Sequence, residues 1–315
     1  MRRNSLFALI LRHQNSWQIP LIALGIGILL ISIANVSHIN LSDAFNINVL
    51  LGFFISQIAL FLYSLRFRLV MRSTGITLKV TETLRINTLA IFYHFFAPLS
   101  IGADLTKFMK LKKNSASTRH RIGSIIFDHT VGICALIVLS LVLVVIRKPE
   151  LGQLNFNGYA SFLILAAAVL LLTSILFRQR IKQYMAAIFI IIKSEWLLIF
   201  VAFCFSIIMH MVLAAGIFVG SHGFGIAISY LDILFVLSIS MTLQSVPISL
   251  LGIGAPEIVS TAIYTIIGLS IPAALLMVAL LYIYRLITSI MGGLWQILES
   301  GRPFLAPDTI NNTSD

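Results

Sequence analysis

The chain has 315 residues, of which 59% are hydrophobic and only 10% are charged, and its mean hydropathy is +1.00. This composition excludes an ordinary soluble globular protein and predicts an all-α membrane protein that crosses the bilayer several times. The net charge of +11 lies beside the apolar runs and no nucleic-acid motif accompanies it, which argues against a nucleic-acid-binding face.

Six apolar runs come close to the ~20 residues that a transmembrane helix needs. They cover residues 19–36, 47–65, 124–146, 159–177, 196–219 and 271–292, and two further apolar stretches, 84–103 and 231–268, are internally broken. We therefore expect one transmembrane domain over residues 17–298, after a basic cytoplasmic N-terminus (1–16) and before a disordered tail (299–315). Cys134 and Cys204 both fall inside predicted spans, so neither a disulfide framework nor a cysteine metal site is indicated.

Basic residues cluster between the spans. The clusters contain Arg66, Arg68, Arg72, Lys79 and Arg85, then Lys107, Lys110, Lys112, Lys113, Arg119 and Arg121, then Arg178, Arg180, Lys182 and Lys193. The loops around 37–46 and 220–230 contain no lysine or arginine. Because cytoplasmic loops carry an excess of Lys and Arg, this asymmetry predicts that both termini and the three basic loops lie on the cytoplasmic side of the inner membrane.

The broken stretch 84–103 has a basic loop on either side, so the chain must enter and leave the membrane on one face. We expect a re-entrant hairpin broken at Ala97–Pro98, because non-helical backbone at membrane depth must be buried or line a watery cavity. The order Pro, Ser, Ile-Gly-Ala, acid occurs twice, as Pro98, Ser100, Ile101-Gly102-Ala103 and Asp104, and as Pro247, Ser249, Ile253-Gly254-Ala255 and Glu257. Two such interruptions favour two opposed hairpins in an inverted repeat with the site at their junction. The alternative is a chance match, since Gly and Pro are common in membrane helices.

Each broken stretch ends with an acid in the first turn of a resumed helix, Asp104 in one and Glu257 in the other. Helix capping favours such an acid by ~0.3–1 kcal/mol, whereas an acid at bilayer depth costs about 2.5–3.5 kcal/mol. Capping does not offset that cost. We therefore expect a cation, a proton or a cavity beside each carboxylate.

Other polar residues inside the spans are candidate partners. Arg285 lies well inside the last span, where we expect a function or an essential ion pair. On helical spacing it shares a face with Thr288, Ser289, Gly292 and Gln296. A second polar stripe leads into the second break and contains Ser238, Thr242, Ser245 and Ser249, for which ordinary interhelical hydrogen bonding is the alternative. Asp128 and His129 begin the 124–146 span, while His94 and His210 are expected to be packing residues.

The segments "FYHFFAPLSIGADLTKF", "SIIFDHTVGICAL" and "PISLLGIGAPEIVSTAIY", with the arginine that follows, resemble the flippase-like transmembrane region of lysylphosphatidylglycerol synthases in its stand-alone form. The resemblance covers roughly residues 15–298 and implies lipid translocation. The resemblance also implies site residues. Gly102, Ala103 and Asp104 match a Gly-Gly-Asp-like turn, and Asp128 matches the acid of an Asp-Arg pair. Gly252, Gly254 and Glu257 match a Gly-Leu-Gly-x-x-Glu turn, and Arg285 matches the arginine that follows it. His129 departs from the pattern, because it stands where the family usually has arginine.

Two classes of function follow. The first is a lipid flippase or transporter that moves an anionic phospholipid or lipid-linked headgroup. We expect it to need no cofactor and no catalytic residues. Its expected transport site consists of Pro98, Gly102, Asp104, Asp128, His129, Ser245, Pro247, Gly252, Gly254, Glu257 and Arg285. The second is an integral-membrane lipid-modifying enzyme that uses Asp128 and His129 as acid and base, or a non-catalytic membrane partner of such an enzyme. Neither a P-loop nor a nucleophile elbow is present in the sequence, so ATP-driven pumping by this chain alone is not expected.

Overall fold

A computed structural model describes residues 46–96, 102–111, 117–151, 178–244 and 255–300, and within these ranges all regular structure is helical. The helices are α1 (Ile47–Ser73), α2 (Val80–Phe96), α3 (Gly102–Lys110), α4 (Thr118–Leu151), α5 (Arg178–His222), α6 (Tyr230–Gln244), α7 (Ala255–Ile266) and α8 (Ile271–Ser300). The predicted all-α fold class is confirmed.

Four helical segments are long and apolar enough to cross a membrane. They are Ile47–Ser73, Thr118–Ile146, Lys193–His222 and Ile271–Trp295, and they match four of the six predicted spans. The other two predicted spans, 19–36 and 159–177, lie outside the described residues. Large apolar side chains such as Phe54, Leu141 and Phe200 are exposed on these helices. An apolar outer surface of this extent fits contact with lipid and confirms a multi-pass membrane protein.

The third basic cluster lies on a helix and not in a loop. Helix α5 begins at Arg178 and breaks at Glu195, where φ is −124° and ψ is 31°. The residues before the break therefore form a separate helical segment that leads into the span. Basic residues predict on which side of the membrane a segment lies. They do not exclude a helix there, because Lys and Arg are good helix formers.

The turn after α1 recurs after α5, 150 residues later. Gly75 and Gly225 both have positive φ, at +82° and +66°. Each turn is closed by an isoleucine N–H, with Ile76 donating to the carbonyl of Met71 at 2.9 Å and Ile226 to that of Ser221 at 3.2 Å. Both isoleucines are buried. A glycine in this conformation followed by a buried apolar residue is a common way to end a helix.

The repeat extends over four helices in each half. The starts of α2 and α6 are 150 residues apart, whereas α3 and α7, like α4 and α8, start 153 residues apart. The three additional residues therefore lie between the starts of α6 and α7, in the interval that contains the second break. Helices α2 and α3 contact each other, and so do α6 and α7, as two hairpins require. The breaks themselves, 97–101 and 245–254, lie outside the described residues, and the opposite orientation of the hairpins stays a prediction.

The two halves meet where α1 crosses α5. A Cβ atom on Gly52 would meet the backbone of Gly216, and one on Gly216 would lie 2.5 Å from Ser56 Oγ and 2.7 Å from Gly52 O. Small residues allow helix backbones to approach closely in membranes, where van der Waals packing drives helix association. This crossing brings the polar faces of α1 and α5 towards the interior of the bundle.

Candidate functional site: a cationic cavity between the repeats

A cavity of about 530 Å³ lies between the two halves, in the size range of small-molecule pockets. Helices α1, α2, α3, α4, α5 and α8 all line it, with Met241 from α6. Its charged and titratable lining side chains are Tyr63, Arg66, His94, Asp104, Lys107, His129, His210, Tyr284 and Arg285. The remaining wall is largely apolar, with Leu60, Ile91 and Leu136 among its residues. The cavity is therefore an apolar chamber with three strong cations in its wall.

Two of the cations share one carboxylate. Arg66 Nη2 donates to Asp128 Oδ1 at 2.6 Å, and Lys107 Nζ lies 3.4 Å from Asp128 Oδ2. Lys107 also donates to the hydroxyl of Tyr63 at 2.7 Å, and Arg66 donates to Ser206 Oγ at 3.3 Å. All three charged side chains are almost completely buried. The three side chains together carry a net charge of +1, and the Asp104 carboxylate is also within electrostatic range of Lys107.

Aromatic and glycine positions hold this cluster in place. The Arg66 guanidinium lies 4.8 Å and the Lys107 ammonium 5.1 Å from the centre of the Tyr63 ring, so both cations are within range of a cation–π interaction with it. A Cβ atom on Gly132 would lie 2.5 Å from Arg66 Nη1. Gly132 is one helical turn beyond Asp128, so the missing side chain makes room for the guanidinium directly beside its carboxylate.

Sequence reasoning assigned Arg66 and Lys107 to cytoplasmic loops, but the structure places both in helices at the cavity wall. Helix α1 continues eight residues past the predicted span end at residue 65 and so includes Arg66. Lys107 follows Asp104 by three residues, which puts both on one face of α3. The three-residue spacing was the sequence signal that Lys107 lies beside Asp104. It was hard to recognise because Lys107 stands among other lysines.

Asp128 and His129 do not form a pair with each other. His129 Nε2 is instead 2.8 Å from Asp104 Oδ1. These two side chains are 43% and 46% exposed, in contrast to the buried cluster. His94 and Lys107 lie within electrostatic range of the Asp104 carboxylate. The predicted need of Asp104 for a partner is therefore met by a histidine and nearby cations. Within the described residues no group of His, Cys, Asp and Glu could hold a metal ion.

Arg285 lies on α8 between the large cavity and a smaller pocket of about 30 Å³. The smaller pocket also contains Glu257, Ser240 and Ser260. Arg285 Nη2 donates to the sulfur of Met241 at 3.0 Å, and Glu257 is within electrostatic range of the guanidinium. The arginine is thus placed between a carboxylate on one side and the cavity on the other.

Some of the remaining predicted residues lie within the described residues and others lie outside them. Gly102 is buried at the start of α3, where its carbonyl accepts a hydrogen bond from Thr106 Oγ1 at 2.7 Å. Thr288 lines the cavity, and its hydroxyl accepts a hydrogen bond from Gln57 Nε2 at 3.0 Å. Ser238 and Thr242 bond to backbone carbonyls of their own helix. Five predicted site residues lie outside the described residues: Pro98, Ser245, Pro247, Gly252 and Gly254.

The two repeats contribute their arginines from different helices. Arg66 on the first helix of one repeat faces Gly132 on the last helix of the same repeat. At the 150- and 153-residue offsets, the second repeat has Gly216 in place of the arginine and Arg285 in place of the glycine. Each half therefore supplies one arginine to a single cavity.

Comparison with known families identifies the family of this chain. The family model of the lysylphosphatidylglycerol synthase TM region matches residues 19–295. The chain belongs to this family. No curated protein and no solved structure matches it. Membership confirms the resemblance found in the sequence and indicates a lipid-related function in a membrane.

Of the residues that carry the resemblance to the lysylphosphatidylglycerol synthase TM region, four of the described ones fall at the cavity or directly beside it. Asp104 and Arg285 line the cavity, Asp128 is buried behind it and Glu257 lies on the other side of Arg285. His129, which replaces the usual arginine of the family, contacts Asp104.

Proposed function

We propose that this protein is a transporter that moves an anionic phospholipid, or a lipid-linked anionic headgroup, between the leaflets of the cytoplasmic membrane. One observation carries the proposal: a cavity of about 530 Å³, built by both repeats, has Arg66, Lys107 and Arg285 in its wall. Cations at membrane depth are costly unless they have anionic partners. The carboxylates of Asp128 and Glu257 are such partners, and a lipid phosphate would supply another during transport.

The geometry suggests how a headgroup would be held. A phosphate that enters the cavity meets cations from both halves, and Arg285 is suited to a phosphate because its planar guanidinium can donate two parallel hydrogen bonds. The acyl chains would stay on the apolar outer surface of the helices. Movement of one repeat against the other around a fixed site is the usual way in which repeat-built transporters change access.

A lipid-modifying enzyme is the second candidate, and the pair of Asp104 and His129 favours it. A histidine oriented by a carboxylate at 2.8 Å is a common arrangement for a general base, and both side chains are partly exposed. This differs from the sequence-based expectation that Asp128 and His129 act together. The two candidates differ in product, because an enzyme would convert the labelled lipid into a new compound.

Reconstitution into liposomes tests the proposal. Labelled anionic and zwitterionic phospholipids are followed for exchange between leaflets, and the lipids are then extracted and analysed for conversion. We expect exchange of the anionic lipid without conversion, and loss of that exchange in Arg285→Gln. Ser140→Ala, on α4 at a residue that does not line the cavity, is the matched control and should exchange lipid at the wild-type rate. Chemical conversion in place of exchange would establish the enzyme.

The double variant Arg285→Gln with Glu257→Gln separates two roles of the arginine. If Arg285 only neutralises Glu257, removing both charges restores exchange, because it is an unpaired buried charge that destabilises. If Arg285 binds the lipid phosphate, the double variant is present in the membrane but does not exchange lipid. We expect the second result.

A further inference from the structure

The second helix of the first hairpin is tied to α4 near its start. Asp104 lies in the first turn of α3, and its Oδ1 is 2.8 Å from His129 Nε2 on α4. The two side chains are 46% and 43% exposed and both line the cavity, so they are accessible to water there. A proton can therefore reach a contact that joins the hairpin to a membrane span.

Two contacts further along α3 use cations whose charge does not change near neutral pH. Lys107 lies 3.4 Å from Asp128, and Arg121 Nη1 on α4 donates to the carbonyl of Phe108 at 3.0 Å. Lysine and arginine ordinarily lose their protons only above about pH 10. Histidine is different, because its charge ordinarily changes between about pH 5 and 8. The contact at the start of α3 is therefore sensitive to pH, whereas the other two are not.

Other titratable groups surround His129, and one of them is a rival proton site. The charged and titratable side chains that line the cavity with His129, or lie beside it on α4, are Tyr63 and Arg66 on α1, His94 on α2, Asp104 and Lys107 on α3, Asp128 on α4, His210 on α5, and Tyr284 and Arg285 on α8. Of these, only the histidines ordinarily change charge near neutral pH. His94 is within electrostatic range of the Asp104 carboxylate, whereas His210 lies near the two arginines. An experiment must therefore separate His94 from His129.

The second repeat has the corresponding contact with different chemistry. At the 153-residue offset, Glu257 takes the place of Asp104 and Tyr282 that of His129. Glu257 is within electrostatic range of both Tyr282 and Arg285. Tyrosine ordinarily loses its proton near pH 10 and arginine stays charged, so this arrangement does not change near neutral pH. The two hairpins therefore differ in their response to pH, and the second is an internal control for the first.

We infer that Asp104 and His129 form a proton-controlled link, which holds the first hairpin against α4 when His129 is charged and loosens when it is neutral. An imidazolium and a carboxylate attract each other, whereas a neutral imidazole offers only a hydrogen bond. The inference adds a regulation to the proposed function and rests on it. While the link holds, the hairpin cannot move against α4, so lipid exchange is slow at acidic pH.

Distances between spin labels test the link without reference to transport. After the two native cysteines are replaced by alanine, labels are attached to cysteines at the exposed positions Met109 on α3 and Thr118 on α4. The matched pair in the second repeat is Ala262 on α7 and Ile271 on α8, which are also exposed and lie at the 153-residue offset. Electron paramagnetic resonance should show a narrow distance distribution for the first pair at about pH 6 and a broader one at about pH 8.5. The second pair should not change.

Two substitutions of His129 separate its charge from its hydrogen bond. Arginine is charged at both pH values, so His129→Arg should keep the narrow distribution at both. Glutamine donates a hydrogen bond without a charge, so His129→Gln should give the broad distribution at both. His94→Gln is the matched control and should respond to pH as the wild-type protein does.

The same variants are then compared for exchange of labelled phosphatidylglycerol in liposomes with equal pH on both sides. Wild-type exchange should be about two- to fivefold slower at about pH 6 than at about pH 8.5, the range that a partly exposed ion pair supports. Exchange should stay slow in His129→Arg and fast in His129→Gln at both pH values.

A wild-type distance distribution that is the same at both pH values would overturn the inference, and so would a pH response that persists in His129→Arg. A response lost in His94→Gln and kept in His129→Gln would overturn it by assigning the proton to His94. A pH-dependent distance without lipid exchange at either pH would support the link and overturn the proposed transport. Exchange at one rate, with distances that do not change, would support transport and overturn the link.

Discussion

Asp128→Asn is the substitution with the largest predicted effect on stability, because Asp128 is the shared partner of two buried cations. The amide keeps the shape of the side chain and removes its charge. Arg66 and Lys107 then lie near each other beside the Tyr63 ring without this counter-charge. Two like charges that are nearly inaccessible to solvent would have to be accommodated in the interior.

The magnitude follows from the distances. At an effective dielectric constant of about 20, the attraction over 2.6 Å between Arg66 and Asp128 is about 6 kcal/mol, and that over 3.4 Å between Lys107 and Asp128 is about 5 kcal/mol. Desolvation of the three ions offsets much of this in the native protein. The net loss on removing one partner of a buried ion pair is about 3–5 kcal/mol. A loss of that size is a large fraction of the free energy of unfolding of a typical domain, which is about 5–15 kcal/mol.

Thermal unfolding in detergent and abundance in the membrane measure the effect. We expect Asp128→Asn to lower both strongly, and Lys107→Met to lower them less, because it leaves Arg66 and Asp128 as a neutral pair. Adding Lys107→Met to Asp128→Asn should recover part of the loss by removing one of the two unpaired cations. Wild-type thermal stability and abundance in Asp128→Asn would refute the reasoning that the carboxylate stabilises this cluster.

Three further predictions concern topology, packing and the substrate arginine. Cysteines introduced at the exposed positions Lys79 and Ser117 should both react with a membrane-impermeant reagent from the cytoplasmic side. Labelling from opposite sides would show that the segment between them is a simple span. Gly132→Ala should reduce thermal stability by about 1–3 kcal/mol because its methyl group overlaps the Arg66 guanidinium, and a wild-type melting curve would contradict the observed contact. Arg285→Lys should retain abundance and lose most lipid exchange, since an ammonium keeps the charge but not the planar fork; full exchange would mean that charge alone is sufficient.

The membrane class, four of the predicted spans and the repeat all follow from local features of the chain. Apolar runs of sufficient length predict spans by themselves, and the paired motifs around Asp104 and Glu257 indicate the repeat. Helical periodicity also placed Thr288 and Ser289 on a buried face with Arg285, as the structure shows. These properties depend on residues a few positions apart, so they can be found without knowing how the helices pack.

The pairing of charges was decided by tertiary structure. Asp128 and His129 are adjacent in sequence, yet successive residues on a helix point about 100° apart, so one side chain contacts Arg66 and the other Asp104. The partners of Asp128 are 62 and 21 residues away. Their meeting depends on where α1, α3 and α4 cross. Sequence periodicity determines the face on which a charge lies, but only helix packing determines which other charge it meets and whether the two enclose a cavity.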